Sequence, residues 1–261
     1  MYGSKWIRTE AQLQETIKAG KLSGTTQDYV KNEEGFYVPA STYHTVAESP
    51  IKAWRCDNNA CLNPFVVQAI GDANPTVNFG MQTNAQWHSF GFSAVVNWVK
   101  GGNIYNMTRQ WPFNELRDTV IDQSRKPAAH AASGGPCPAL TVDPKCPYST
   151  GKKPTTYYSA FYDGINPNDY FVESGTYARL RELAVNWQLP VSWVTKLPGE
   201  FRNARFGIVG RNLWTWTKYN GYNPDVSGVT GAGGGNPFVY KVDYFTYPAF
   251  RTFSGMFELG F

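Results

Sequence analysis

Val77-Asn-Phe-Gly-Met-Gln-Thr-Asn-Ala-Gln-Trp87, then His88-Ser89, then Phe90-Gly-Phe-Ser-Ala-Val-Val-Asn-Trp98, is the stretch that decides the fold. In an extended chain Val77, Phe79, Met81, Thr83, Ala85 and Trp87 fall on one face. Asn78, Gly80, Gln82, Asn84 and Gln86 fall on the other. A period of two with one apolar and one polar side is the pattern of a β-strand. A tight turn is expected around His88-Ser-Phe-Gly91. Beyond it Phe92, Ala94, Val96 and Trp98 resume the apolar face, opposite Ser93, Val95, Asn97 and Val99. The two runs read as a hairpin.

Three more runs share this pattern. Tyr177 to Leu189 groups Leu183, Val185, Trp187 and Leu189 against Glu182, Asn186 and Gln188. Residues 202–216 group Ala204, Phe206, Ile208, Gly210, Trp214 and Trp216 against Asn203, Arg205, Gly207 and Arg211, with Asn212 interrupting the apolar face. Ala249 to Phe261 groups Phe253, Gly255, Phe257, Leu259 and Phe261 against Thr252, Ser254, Met256, Glu258 and Gly260. The connections alternate: short after Trp87 and over 190–200, long over 100–176 and 218–247. Strands longer than the usual five or six residues, loop lengths that alternate between the two ends, and a terminal aromatic fit a transmembrane barrel. Rings near the strand ends (Trp87, Phe90, Trp98, Trp187, Trp214, Trp216) fit its aromatic girdle. A soluble β-sandwich with one wet face per strand shares the alternation, and a passive porin-type barrel is a further reading.

Composition narrows the classes. Charged residues are 17% of the chain and aromatics 16%, yet the mean hydropathy is −0.41. No run of 18 apolar residues exists, so a helical membrane span is excluded and a strand-built one is not. The net charge of +4 is scattered, with no basic run, so nucleic acid is not an expected partner. Met1 to Glu10 lack the basic-then-apolar pattern of a secretory signal. Cys56 and Cys61, and Cys137 and Cys146, form two local pairs among loop-forming residues. Their even number favours two short-range disulfides and an oxidising compartment. Free thiols or a zinc site are the alternatives, but neither pair has C-x-x-C spacing.

The order of motifs over about residues 65–261 resembles the SusC/RagA family of TonB-dependent outer-membrane transporters. The residues concerned are Ile70-Gly-Asp-Ala-Asn-Pro75, Phe79-Gly80, Phe90-Gly-Phe92 and Gly101-Gly-Asn-Ile-Tyr-Asn106. They continue through Tyr170 to Leu183 with its Arg179-Leu-Arg181, Gly210-Arg-Asn-Leu213, and Tyr219-Asn-Gly-Tyr-Asn-Pro-Asp225. Tyr247-Pro248 and Arg251-Thr-Phe253 through Phe261 complete the set.

The resemblance implies an all-β chain holding about five or six C-terminal strands of a large, 22-stranded antiparallel barrel around a plug. Long extracellular loops are part of that picture. It implies residence in the outer membrane of a Gram-negative bacterium. It implies a SusD-like surface lipoprotein as cap, energy from TonB–ExbB–ExbD, contact with outer-membrane lipid, and a nutrient ligand such as an oligosaccharide or peptide. On this reading residues 1–75 are an extracellular loop region with a short helix near Glu10–Lys18 and a first partial strand. Residues 76–261 are barrel strands, and the plug and TonB box have no counterpart. Such a fragment is expected neither to insert alone nor to transport, because an open sheet edge is not tolerated in hydrocarbon.

No enzyme constellation emerges. His44, His88 and His130 lack spaced partners, and Gly228 to Gly235 lacks the lysine of a phosphate loop. Asp57-Asn-Asn59 and Asp163 to Asp169 do not match a calcium loop. Glu182 and Glu258 suit a barrel lumen as polar inward residues. No cofactor or metal is expected. Phe257, Leu259 and Phe261 fit both lipid-facing strand chemistry and the C-terminal signal read by the barrel-assembly machinery. Trp216, Tyr219, Tyr222 and Tyr240 are rings that would stack on a ligand or on the cap protein.

Overall fold

The computed structural model describes residues 1–261 apart from 44, 46, 54, 58–59, 63–67, 116, 122–154, 163–166, 197, 227–240 and 248, with backbone alone at 55–57, 60–62, 121 and 155–156. The chain divides into two units. One comprises Ala73–Ile104, Glu173–Lys241 and Thr246–Phe261; the other comprises Met1–Asp72, Tyr105–Val172 and Val242–Phe245.

The first unit carries a five-stranded sheet: β1 (Val77–Trp87), β2 (Phe90–Lys100), β3 (Tyr177–Gln188), β4 (Asn203–Thr217) and β5 (Thr252–Gly260). Each strand pairs antiparallel with its sequence neighbour, in the order β1-β2-β3-β4-β5. Only two residues, His88 and Ser89, join β1 to β2, and His88 takes φ 54 to do so.

Register shows how the apolar face survives five strands. Phe79 faces Trp98, Met81 faces Val96 and Ala85 faces Phe92. Val185 sits between Phe92 and Ile208, and Ile208 continues to Gly255. Within β3 the alternation changes phase: Ala178 and Leu180 share a side with Leu183, Val185 and Trp187. A bulge between Leu180 and Glu182 absorbs the extra residue, Arg181. β4 compensates in turn, because Leu180 pairs with Trp214 and Glu182 with Arg211. There Asn212 adopts φ 52, a left-handed conformation that asparagine tolerates better than most residues.

At the end away from the short turns, Gly101 and Gly102 (φ 78 and 73) lead the chain out of β2. The Gly175 N–H donates to the Gly102 carbonyl at 2.9 Å. A side chain on Gly175 would meet that carbonyl oxygen at 3.1 Å. Beside this, the Arg179-Leu-Arg181 and Asn223-Pro-Asp225 motifs lock together. The buried Arg179 guanidinium donates to Thr215 Oγ1 at 3.1 Å, to Asp225 Oδ2 at 3.2 Å and to Asn223 Oδ1. Arg181 reaches the same Asp225 oxygen at 3.0 Å. Lys241 is also buried; desolvation pulls its pKa down, opposed by Asp225.

The second unit is a folded body with its own core, to which Met1–Asp72 and Tyr105–Val172 both contribute. α1 (Glu10–Lys18) begins with a capping box, in which Thr9 Oγ1 accepts from the Gln12 N–H and Gln12 Oε1 accepts from the Thr9 N–H. It ends at Gly20, φ 69, where the Gly20 N–H donates to Ile17 and the Lys21 N–H to Thr16. Leu13 packs with Ile7 and Ala53, and Ile17 lies against that cluster, as the spacing of the helix predicts. The main core is aromatic: Trp6, Phe36, Tyr105, Phe113, Tyr157, Tyr158, Phe161 and Phe171 with Val38. α2 (Met107–Asn114) and α3 (Thr155–Tyr162) supply half of these rings.

Three buried amides fasten that core. Asn32 donates to Glu48 Oε1 at 3.0 Å and to the Tyr157 hydroxyl at 2.9 Å. Gln110 accepts from the Tyr105 hydroxyl at 2.6 Å and donates to the Tyr162 carbonyl at 2.8 Å. Asn168 donates to the Phe161 carbonyl at 2.9 Å and accepts from Trp6 Nε1 at 3.4 Å. Next to it Asp169 accepts from the Trp6 N–H at 3.1 Å and lies 3.5 Å from Arg8. Burial raises the Asp169 pKa above 3.8, against the pull of Arg8.

Three outcomes are expected. Phe161→Ala removes a fully buried ring and costs about 3–5 kcal/mol; limited proteolysis of the whole protein then cuts within residues 1–72 faster than in the parent. Asp225→Asn leaves the Arg179 guanidinium without its carboxylate and costs about 2–3 kcal/mol, less than a fully buried pair because Asp225 is partly exposed; cleavage near residues 218–226 speeds up. The folded unit binds the Asp169 proton more tightly than the unfolded chain does. Stability of this unit therefore falls as pH rises from 3.8 through the raised pKa. Asp169→Asn flattens that part of the melting-temperature profile.

Candidate functional site

The two faces of the five-stranded sheet are the chain's most distinctive chemistry. One face presents Phe79, Met81 and Trp87 from β1, Phe90, Phe92 and Trp98 from β2, and Leu183 from β3. It continues with Phe206, Ile208, Trp214 and Trp216 from β4, and Phe253 and Phe257 from β5. All of these large side chains are exposed; Phe253 reaches 70%. Among the described residues nothing packs over them, whereas a sandwich would bury such a face under a second sheet. A continuous apolar surface of this extent marks a protein or membrane interface.

The opposite face is polar. Asn78, Gln82, Asn84, Gln86, Ser93, Asn97, Asn186 and Gln188 alternate with the apolar set. Its charges are arranged in cross-strand rows. Arg211 Nε donates to Glu182 Oε2 at 2.9 Å, and Arg205 sits between Gln188 and Glu258 in register. Near the short turns this face is hollowed by a cavity of about 620 Å³, lined by Asn84, Gln86, Ser89, Ser93, Asn186, Gln188 and Arg205 among others. A polar, amide-lined concavity behind an apolar outer face is the cross-section of a barrel wall with a wet lumen.

The site residues expected from the sequence fall in different places. Phe257, Leu259 and Phe261 share the apolar side of the last strand: Phe257 faces Phe206 and Leu259 faces Ala204. The Phe261 ring lies 4.9 Å from Phe201. Tyr222 is 76% exposed and free to meet a partner. Tyr219 is a correction: it is only 5% exposed and packs with Ile104 and Val226, so its ring fills a local core instead of offering a stacking surface. Trp216, 57% exposed, belongs to the apolar face beside Ala178, which suits a girdle better than a ligand site. Tyr240 lies outside the described residues. Cys56 and Cys61 stand opposite each other in the short pairing of Arg55–Asp57 with Ala60–Leu62; Cys137 and Cys146 lie outside the described residues. Among the described residues no group of three or more His, Cys, Asp or Glu is placed to hold a metal, and no helix is long and apolar enough to cross a membrane.

Sequence reasoning missed the joint role of Arg179, Arg181, Asn223 and Asp225. Both motifs were visible, but their contact spans more than 40 residues of chain. It also missed two cations on the apolar side, Lys100 and Arg251, whose face becomes visible only from the register and from the position of the Trp214 ring.

No protein-family model matches the chain. The TonB-dependent receptor P3 of Formosa agariphila is 24% identical over 198 residues, which make up 76% of this chain and 18% of that protein. Solved structures also align with most of the chain. The RagAB peptide importer in its open-open state gives a TM-score of 0.47 at 16% identity, over 90% of this chain and 22% of that one. The RagAB peptide transporter gives 0.48 at 16% identity, over 89% and 22%. The chain thus spans about a fifth of the length of the relatives it matches. In its ordered motifs and in the receptor match, the chain resembles part of a TonB-dependent receptor of the SusC/RagA type.

Proposed function

We propose that this chain supplies C-terminal strands to the barrel of a TonB-dependent outer-membrane importer that takes up an oligosaccharide, a peptide or a similar nutrient. The observation that carries the reading is the sheet itself: five neighbour-paired antiparallel strands with one apolar face left bare and one polar, concave face. The receptor relative supports the energy source, TonB–ExbB–ExbD. The SusC/RagA-type motifs support a SusD-like lipoprotein as partner. The chain's role is structural and conductive, not enzymatic. Phe257, Leu259 and Phe261 serve as the signal recognised by the barrel-assembly machinery.

The two outer edges of the sheet, on β1 and β5, are where further strands of the barrel join. Unpaired strand edges cannot face hydrocarbon, so the strands described here do not transport by themselves.

Two adjacent residues test the membrane reading. Ile208 lies mid-strand on the apolar face, and Val209 lies beside it on the polar face, facing Ala184 and Ser254. Ile208→Arg puts a charge in lipid and costs about 2–4 kcal/mol; the protein's amount in the outer-membrane fraction drops severalfold. Val209→Arg puts the same charge in the lumen and leaves the amount near the parent level. Equal tolerance of both, or recovery of the parent protein in the soluble fraction, overturns the reading. Uptake that persists after TonB is depleted would leave the barrel in place and remove the energy source.

A further inference from the structure

We infer that the long-loop end of the polar face binds a carboxylate group of the nutrient; the inference deepens the importer reading above and rests on it. Arg179, Arg181 and Lys241 carry it. Arg179 registers with Asn97 on β2 and Thr215 on β4, which places it on the polar face near the start of β3. Arg179 and Lys241 are both buried. Asp225 is the carboxylate that meets the two guanidinium groups, at 3.2 Å from Arg179 and 3.0 Å from Arg181. The charges that act on Lys241 belong to the same cluster: Asp225 favours its proton and Arg179 opposes it. Three cations therefore surround one carboxylate. Glu173, whose Oε2 accepts from the Asn220 N–H at 2.7 Å, brings a second carboxylate to this segment, and an excess of positive charge still remains. Val226 to Tyr240 add no Asp or Glu to it.

A cluster that serves only to lock the chain has its buried charges matched, because each unmatched one costs its desolvation. Elsewhere on this face they are matched: Arg211 has Glu182, and Arg205 stands opposite Glu258. An anion that arrives at the long-loop end offsets the excess, and Arg181 is placed to meet it. Its side chain is 46% exposed. It spends one Nη2 bond on Asp225, and its Nε and Nη1 donors have no partner among the described residues. A guanidinium edge matches the two oxygens of a carboxylate. Arg179 has each of its nitrogens engaged, by Thr215, Asp225 and Asn223, so it acts on the ligand through its field. Lys241 adds to that field from its buried position. The rest of the concave face is lined mainly by neutral amides and hydroxyls, so the recognition of charge is concentrated at this end. An acidic sugar and a peptide with a free C-terminus both carry the required group.

The test uses the whole protein purified from the outer membrane and reads the rate at which phenylglyoxal labels Arg181, by mass spectrometry. Glucuronate and N-acetylalanine are the probes; glucose and N-acetylalaninamide are their neutral counterparts, all at equal ionic strength. One or both acids are expected to slow labelling of Arg181 at least about threefold, as at a probe concentration of twice the dissociation constant. The neutral counterparts leave the rate unchanged, and Arg205 on the same face is not protected. Protection by glucuronate alone assigns the carboxylate to an acidic sugar; protection by N-acetylalanine alone assigns it to a peptide C-terminus. Protection by neither acid, or equally by the neutral counterparts, overturns the site. Equal protection of Arg205 identifies general screening by ions and overturns it too. Lys241→Gln is expected to lose most of the protection, and protection at the parent level there overturns the part assigned to the buried charge. Should that variant fail to fold, the arms on the parent protein decide the site by themselves. Failure of the site leaves the barrel standing, whereas recovery of the parent in the soluble fraction removes the importer reading whatever Arg181 does.

Discussion

Every feature of the sheet depends on one constraint: the apolar side of each strand must stay in phase with that of its neighbours. The side-chain period of a strand is two, so a slip of a single residue turns every ring from one face to the other. β3 violates simple alternation, with Ala178 and Leu180 on even positions and Leu183, Val185 and Trp187 on odd ones, all on one face. The bulge around Arg181 repairs the phase, and β4 answers with its own irregularity at Asn212. Without these two adjustments, half of β3 would turn its leucine, valine and tryptophan into the polar concavity and Glu182 outward.

That constraint also sorts the charges. Once the polar side is fixed, Glu182 and Arg211 become cross-strand neighbours and neutralise each other. The bulge that restores the phase also frees Arg181 to reach Asp225 beside Arg179. A single carboxylate therefore holds two guanidinium groups and ties the segment after β4 to the start of β3. The second unit solves a different problem. It has few regular elements, and the buried amides of Asn32, Gln110 and Asn168 do the work that strand ladders do in the sheet.

Much of the sheet was legible because alternation is a local signal. The bounds of β1, the His88 turn, and the face assignments of β4 and β5 follow from residues adjacent in sequence. The helix at Glu10–Lys18 was legible for the same reason, from Leu13 and Ile17 and from the glycine that ends it. The aromatic core of the second unit was not. Trp6, Phe36, Tyr105, Phe113 and Phe161 keep no common period, and the bonds joining them cross more than 100 residues, as from Asn32 to Tyr157. Of the candidate site, the two faces were readable and the packing was not: Tyr219 looks like a loop ring in the sequence, and only its contacts with Ile104 and Val226 show that it is buried. The two cations on the apolar side were hidden because one ends a strand and the other precedes one.

The hydrogen bond between Gly175 and Gly102 has a consequence for how such a sheet tolerates change. It fastens together the two ends of the long excursion between β2 and β3, so the strands see a connection that is already closed. The entropy of closing a loop grows only logarithmically with its length. The length of the excursion between those two glycines is then decoupled from the strands, while Tyr105, Phe113 and Phe161 within it remain tied to the core of the second unit. A sheet built this way can absorb a change in the length of that excursion without shifting the register of β2 against β3.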